Sequence, residues 1–272
     1  MYTFRHLKTT ILMAAMITLL LSQQTQGQPA ETGSRQTSKG SRSLSGGVKN
    51  IVLVHGAFAD GSSWERVIPM LHAKGYNVIA VQNPLTSLEE DVAATKRAIA
   101  SVDGPVLLVA HSYGGMVISQ AGNDPKVVGL LYVCSLVPDE GQAVEDVVKA
   151  FPPGPGSLEF QQADGFLRLS AKGIHADFAQ DLPVSTRNTI YSTQTPWAVR
   201  ATQTKVTDPA WKTRPSWFII GIEDKMVPVA LARAEAKIIG ATTLELHSSH
   251  VPMLSQPEKV AAFIIGAAKT LK

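Results

Sequence analysis

Six short runs of β-branched and aliphatic residues recur along the chain, and stretches with helical spacing lie between them. The runs are Ile51–Val54, Asn77–Val81, Val106–Ala110, Val128–Cys134, Trp217–Ile220 and Thr243–Leu246, each bounded by Gly, Pro, Asn or Ser. A run such as Ile51-Val52-Leu53-Val54, apolar at every position, has the pattern of a strand buried on both faces. The intervening stretches carry helix-start signals. Ser63–Lys74 begins with a hydroxyl, Ser87–Val102 opens with the capping box Ser87-Leu88-Glu89-Glu90, and Ser255-Gln256-Pro257-Glu258 repeats that device before Ala261–Thr270. Strands alternating with amphipathic helices predict an α/β domain, a mostly parallel sheet with helices on both faces.

The alternation stops between Pro138 and Pro215, where prolines cluster and no apolar run reads as a strand. Seven of the 15 aromatics beyond the first 27 residues fall there: Phe151, Phe160, Phe166, Phe178, Tyr191, Trp197 and Trp211. The expectation is an insertion over about 139–214, a lid of short helices on a domain running from 50 to 271. Its aromatics serve packing and pocket lining, and Trp197 is assigned to the substrate pocket.

Residues 1–27 join a cationic start (Arg5, Lys8) to the apolar run Ile11–Leu21 and a polar end with small residues, the pattern of a secretory signal peptide cleaved after Gly27 or Ala30. The run is shorter than the ~20 residues of a membrane-spanning helix, so stable membrane insertion is not expected. Residues 28–49 are polar, with too little apolar surface to offset the entropy of ordering, and read as a flexible leader. The expected location is exported, periplasmic or secreted. Without Arg5 and Lys8 the chain holds 23 basic and 22 acidic residues and no basic run, so nothing points to nucleic acid. The single cysteine, Cys134, excludes an internal disulfide and a Cys-rich metal cage. No pattern reports the oligomeric state.

The most informative segment is Val106–Ile118, in which a buried run passes straight into a helical pattern with Ser112 at the turn. In such an elbow the serine backbone is strained so that Oγ projects above the strand ends, and small residues two before and two after it let strand and helix approach. Here they are Ala110 and Gly114, an Ala-x-Ser-x-Gly variant. His55-Gly56-Ala57-Phe58 ends the first run, where a loop amide can face the serine. Ala57, together with the amide of Tyr113, is the expected oxyanion hole; Phe58 is the alternative donor and a wall of the pocket. Downstream, Asp224 follows Trp217–Ile220 and His250 follows Thr243–Leu246, and in a parallel sheet such strand ends share one edge. The order Ser, Asp, His fits a nucleophile, an orienting carboxylate and a general base. His247 rivals His250, and Glu223 and Asp139 rival Asp224. His55 and His111 read as structural neighbours of the two turns.

With its His-Gly turn, His-Ser-Tyr-Gly-Gly elbow, late Asp and final His, the chain resembles the α/β-hydrolase superfamily over roughly residues 50–271. His-Gly-Ala followed by Trp64, together with the compact length, is similar to the branch holding small carboxylesterases, methylesterases and plant hydroxynitrile lyases. Those lyases commonly have Thr after the His of the oxyanion turn and Lys after the catalytic His. Here Gly56 and Val251 occupy the two positions, which favours hydrolysis. The resemblance implies a serine esterase that takes a small, largely apolar ester through an acyl-enzyme and uses no cofactor or metal. Lactonase, thioesterase and perhydrolase chemistry use the same groups, and a small-molecule receptor that keeps the triad is the remaining alternative.

Other site chemistries fit less well. Gly56–Ser63 has the glycine spacing of a phosphate-binding loop, yet Ser62 stands where the lysine belongs. Gly-x-Gly-x-x-Gly after the first strand and His-Glu-x-x-His are both missing. Dehalogenases and epoxide hydrolases of similar fold place Asp where this chain has Ser112.

Overall fold

The computed structural model describes residues 47–271. The expected signal peptide and all of the leader up to residue 46 lie outside the described residues. Val48, at the leader's end, is buried and belongs to the core.

The strands fall almost where the apolar runs place them: β1 (Asn50–Val54), β2 (Asn77–Val81), β3 (Val106–His111), β4 (Val127–Val133), β8 (Ser216–Gly221) and β9 (Thr242–Leu246). They form one six-stranded sheet in the order β2-β1-β3-β4-β8-β9, parallel at every pairing. Every residue of β1, β3 and β8 is buried, which is why these segments lack polar alternation. The chain moves outward from β1 to β2 and then returns to the far side of β1 as β3. The strand order therefore reverses between β1 and β3, and ligands of open α/β sheets bind at the carboxyl ends of such a switch point.

Helix α1 (Ile68–His72) is shorter than the expected Ser63–Lys74, because a 3-10 turn, Gly61–Trp64, comes first and Asp60 rather than Ser63 caps it. Helix α2 (Leu88–Ala100) begins at Ser87, whose Oγ accepts from the Glu90 amide at 3.2 Å. The reciprocal half of the box is absent, since the Glu90 carboxylate accepts from the Thr86 hydroxyl instead. Helix α3 (Gly114–Ala121) leaves the serine turn and packs on α2. The C-terminal helix Pro257–Thr270 starts from Gln256 without a side-chain cap, because the Ser255 hydroxyl is paired with that of Ser248 at 2.9 Å.

Between β4 and β8 the structure departs from a purely helical insertion. Besides α4 (Val144–Val148) and the helix Val184–Thr193, it contains a three-stranded antiparallel sheet of β5 (Phe160–Ala163), β6 (Phe166–Leu169) and β7 (Trp197–Ala198). All four residues of β5 are exposed, so Phe-Gln-Gln-Ala carries no apolar run to mark it. Its legible signal is the turn: Asp164-Gly165 joins the two strands with φ of 50° and 80°, the doubly positive pair a two-residue hairpin needs.

Candidate active site

Ser112 sits between the last residue of β3 and the first turn of α3, and this short connection holds it at φ 54°. Its backbone is tied on both sides. The amide donates to Val133 O at 3.1 Å, and the carbonyl accepts from Ser135 Oγ at 2.6 Å and Leu136 N at 3.2 Å. The surroundings explain the small residues. A Cβ on Gly56 would lie 2.6 Å from Ser112 Cβ, and one on Gly114 would lie 2.9 Å from the carbonyls of Val54 and His55 and 3.4 Å from Ala110 Cβ. Alanine two residues before the serine therefore fits, and anything larger would press on α3.

Asp224 and His250 meet as the strand-end argument predicts. The imidazole Nδ1 donates to Asp224 Oδ2 at 2.7 Å, with the two side chains 1% and 3% exposed. Asp224 Oδ1 accepts from the amides of Met226 and Val227 at 2.8 and 3.0 Å, which fixes the carboxylate. With Nδ1 engaged, Nε2 is the ring nitrogen left for chemistry. His250 and Ser112 line one cavity of about 390 Å³. No hydrogen bond joins the Ser112 hydroxyl to His250 among the described residues; in unliganded sites this contact is commonly long and tightens with substrate.

The rivals stand elsewhere. The His247 side chain is 84% exposed beside Glu223, 3.5 Å away, and Asp139 pairs with Lys212 on the surface. His55 and His111 are fully buried. His55 Nε2 accepts from the Asn83 amide at 2.9 Å and Nδ1 donates to Gly56 O at 2.8 Å, bracing the turn. His111 Nε2 donates to the His250 carbonyl at 2.8 Å. Burial lowers the pKa of both, most strongly for His111, so no imidazolium charge competes beside His250.

Ala57, Phe58, Tyr113 and Trp197 all line the same cavity. Neither the Ala57 nor the Tyr113 amide finds an acceptor among the described residues. The cavity walls are otherwise mostly apolar, with Leu136, Val144, Phe151, Phe178, Met226 and Val227 prominent and Lys149 and Ser157 the polar exceptions. Two carboxylates bonded to residues around the site carry no signal in the sequence. Asp181 Oδ2 accepts from the Ser249 amide at 2.9 Å and so holds the loop carrying His250, while Asp91 bonds the Tyr113 hydroxyl at 2.8 Å. Neither lies in a motif, and each partner is distant in sequence.

One grouping among the described residues has metal-ligand chemistry: Cys134, Asp224 and His250, with ligand atoms within 4.8 Å of one another. The Asp224 and His250 atoms are already bonded to each other, and burial and the nearby Asp224 charge push the Cys134 thiol well up, which disfavours the thiolate a soft metal binds.

The pattern of the alpha/beta hydrolase family matches residues 51–263. The chain belongs to that family. A pyrethroid hydrolase from Sphingobium wenxiniae is 26% identical over 257 residues, covering 80% of this chain and 86% of that one. Salicylic acid-binding protein 2 from Nicotiana tabacum is 25% identical, covering 81% and 97%. Among solved structures, a pyrethroid hydrolase superposes with a TM-score of 0.73 at 25% identity over 82% of this chain and 98% of that one. Polyneuridine aldehyde esterase shares the fold, with a TM-score of 0.72 at 19% identity over 81% and 99%. The enzyme is a hydrolase of the carboxylesterase type.

Proposed function

We propose that Ser112, His250 and Asp224 are a catalytic triad that cleaves a largely apolar carboxylic ester through an acyl-enzyme. The observation that carries this reading is the buried His250–Asp224 bond opening onto the same apolar cavity as the strained Ser112 turn. Ser112 Oγ attacks the ester carbonyl as His250 Nε2 takes its proton, and Asp224 holds the tautomer and stabilises the imidazolium. The amides of Ala57 and Tyr113 receive the oxyanion; one such donor typically contributes about 10²–10³ in rate. The imidazolium then protonates the departing alcohol, and a water activated by the same nitrogen releases the acid.

A cavity of about 390 Å³ walled by Phe58, Phe151, Trp197 and Met226 favours an ester with a bulky apolar portion over an acetyl group on a small alcohol. Relatives named as a pyrethroid hydrolase and a carbendazim hydrolyzing esterase support that substrate class. The insertion acts as the lid, since Val144, Phe151, Phe160, Phe178 and Trp197 all reach the cavity from it. Export follows from the amino-terminal sequence and predicts a mature protein beginning at Gln28 or Glu31, readable by amino-terminal sequencing of the exported form.

Ser112→Ala is expected to lower kcat toward p-nitrophenyl esters by about 10⁴-fold or more with the circular dichroism spectrum unchanged. A fluorophosphonate should label Ser112 alone. Unreduced turnover in Ser112→Ala would end this assignment. A series of acyl chain lengths, with matching lactones and thioesters, separates an esterase from its chemical neighbours, and a receptor would show acylation without steady release.

A further inference from the structure

The hydroxyl of Tyr113 takes no part in the proposed chemistry, yet it is held by a fully buried carboxylate. Tyr113 Oη donates to Asp91 Oδ2 at 2.8 Å, and the amide of Leu85 donates to Asp91 Oδ1 at 2.8 Å. Asp91 lies on α2 with no exposed surface, and Tyr113 is 1% exposed. Leu85 stands at φ 56°, and its carbonyl accepts from the Ala198 amide at 2.8 Å, which anchors β7. Trp197, the preceding residue of β7, packs its ring 4.9 Å from Tyr113 and 5.9 Å, edge-on, from Phe58. One carboxylate thus reaches both sides of the oxyanion site: Tyr113 directly, and the Ala57–Phe58 turn through Leu85, β7 and Trp197.

We propose that Asp91 is a positioning residue of the oxyanion hole, holding the amides of Tyr113 and Ala57 at the spacing the tetrahedral intermediate requires. The inference rests on the esterase reading above. Stability alone does not account for the pair. A buried acid is expensive to desolvate, and apolar residues of similar volume would fill the space between α2 and α3 at no such penalty. What the pair adds is a fixed direction for the tyrosine ring, and through it for the first turn of α3. Misplacing an oxyanion donor by a fraction of an ångström weakens an interaction made only in the transition state, so the effect belongs in kcat.

The test is a double-mutant cycle of Asp91→Ala and Tyr113→Phe, with Asp91→Asn as the conservative rescue. Rates are expressed per site labelled by a fluorophosphonate, so unfolded protein does not count. Expected are a fall in kcat of about 10- to 100-fold in Asp91→Ala, part of the loss of a whole donor, and a KM within about twofold. Affinity for a trifluoromethyl ketone, whose adduct carries an oxyanion, should fall in parallel, while affinity for the product acid stays unchanged. The double variant should be no slower than Asp91→Ala, and Asp91→Asn should recover most of the rate. Wild-type kcat per labelled site in Asp91→Ala, or losses that simply add, would overturn the proposal. If Asp91→Ala does not fold, Tyr113→Phe decides by the same kcat and ketone readouts. Failure of the esterase reading shows separately, as turnover retained in Ser112→Ala.

Discussion

The placement of Ser112, Asp224 and His250 at one sheet edge was legible because each follows a strand that announces itself, and because parallel strands deliver their carboxyl ends to one edge. Their rivals His247 and Asp139 share that placement in sequence; only packing separates them, His247 lying beside Glu223 and Asp139 beside Lys212 at the surface while His250 and Asp224 are buried together. Asp91 and Asp181 were not legible, since their partners lie 22 and 68 residues away and no motif links them. Asp91 carries a pH signature of its own. Burial, the largest cause, raises its carboxyl from 3.8 to about 6, against the pull of its bonds to Leu85 and Tyr113. An acid raised in the folded state binds more protons folded than unfolded between those two values, so its contribution to stability falls as pH rises from about 4 to 6. Asp91→Asn removes that slope. The difference in Tm, variant minus wild type, should therefore grow more positive from pH 4 to pH 7 in thermal melts. Gly56 offers a steric test at the same scale. Gly56→Ala forces a Cβ to within 2.6 Å of Ser112 Cβ, so it should lower kcat at least about tenfold and depress Tm, with the two losses measured on one preparation.

At the level of elements, the central strands β1, β3 and β8 were readable because burial on both faces leaves an almost unbroken apolar run, whereas the edge strands β2 and β9 are partly exposed and carry polar residues. The hairpin of β5 and β6 was not readable, because its strands are four residues each and one is wholly exposed. Its turn is the informative part. Gly165 has φ 80° and open space around a would-be Cβ, so a substitution there meets backbone strain alone. Gly165→Ala should destabilise the hairpin by about 1 kcal/mol. The effect should be local, because β6 pairs with β7 at Leu167 and Trp197 while β3 and β4 lie in the other sheet. Hydrogen exchange should accelerate in 160–169 and leave 106–111 unchanged. With Phe160 and Trp197 both in the cavity wall, KM for a long-chain ester should rise more than KM for the acetate.

For the domain as a whole, buried histidines and buried carboxyls respond to acid in opposite directions. His55 braces the turn after β1 and His111 ends β3, so the two flank the switch point at which the site is built. Desolvation lowers both below the ordinary value of 6.5, His111 strongly, with the neighbouring His250 and His55 adding to the effect. A lowered histidine binds fewer protons folded than unfolded, so stability is full above 6.5 and is lost as pH falls below it. Asp91 works in the opposite direction between about 6 and 4 and offsets part of that loss. Burial also holds the Glu235 carboxyl well above its ordinary range, so it acts with Asp91; between pH 7 and pH 5 the two histidines pull Tm down while the two carboxyls pull it up, and a histidine variant isolates the histidine part. His111→Gln keeps a donor for the His250 carbonyl while removing the titration, so the difference in Tm, variant minus wild type, should grow more positive from pH 7 to pH 5. A difference that stays constant over that interval would show that His111 does not carry the histidine part, and His55→Gln would then be expected to remove it.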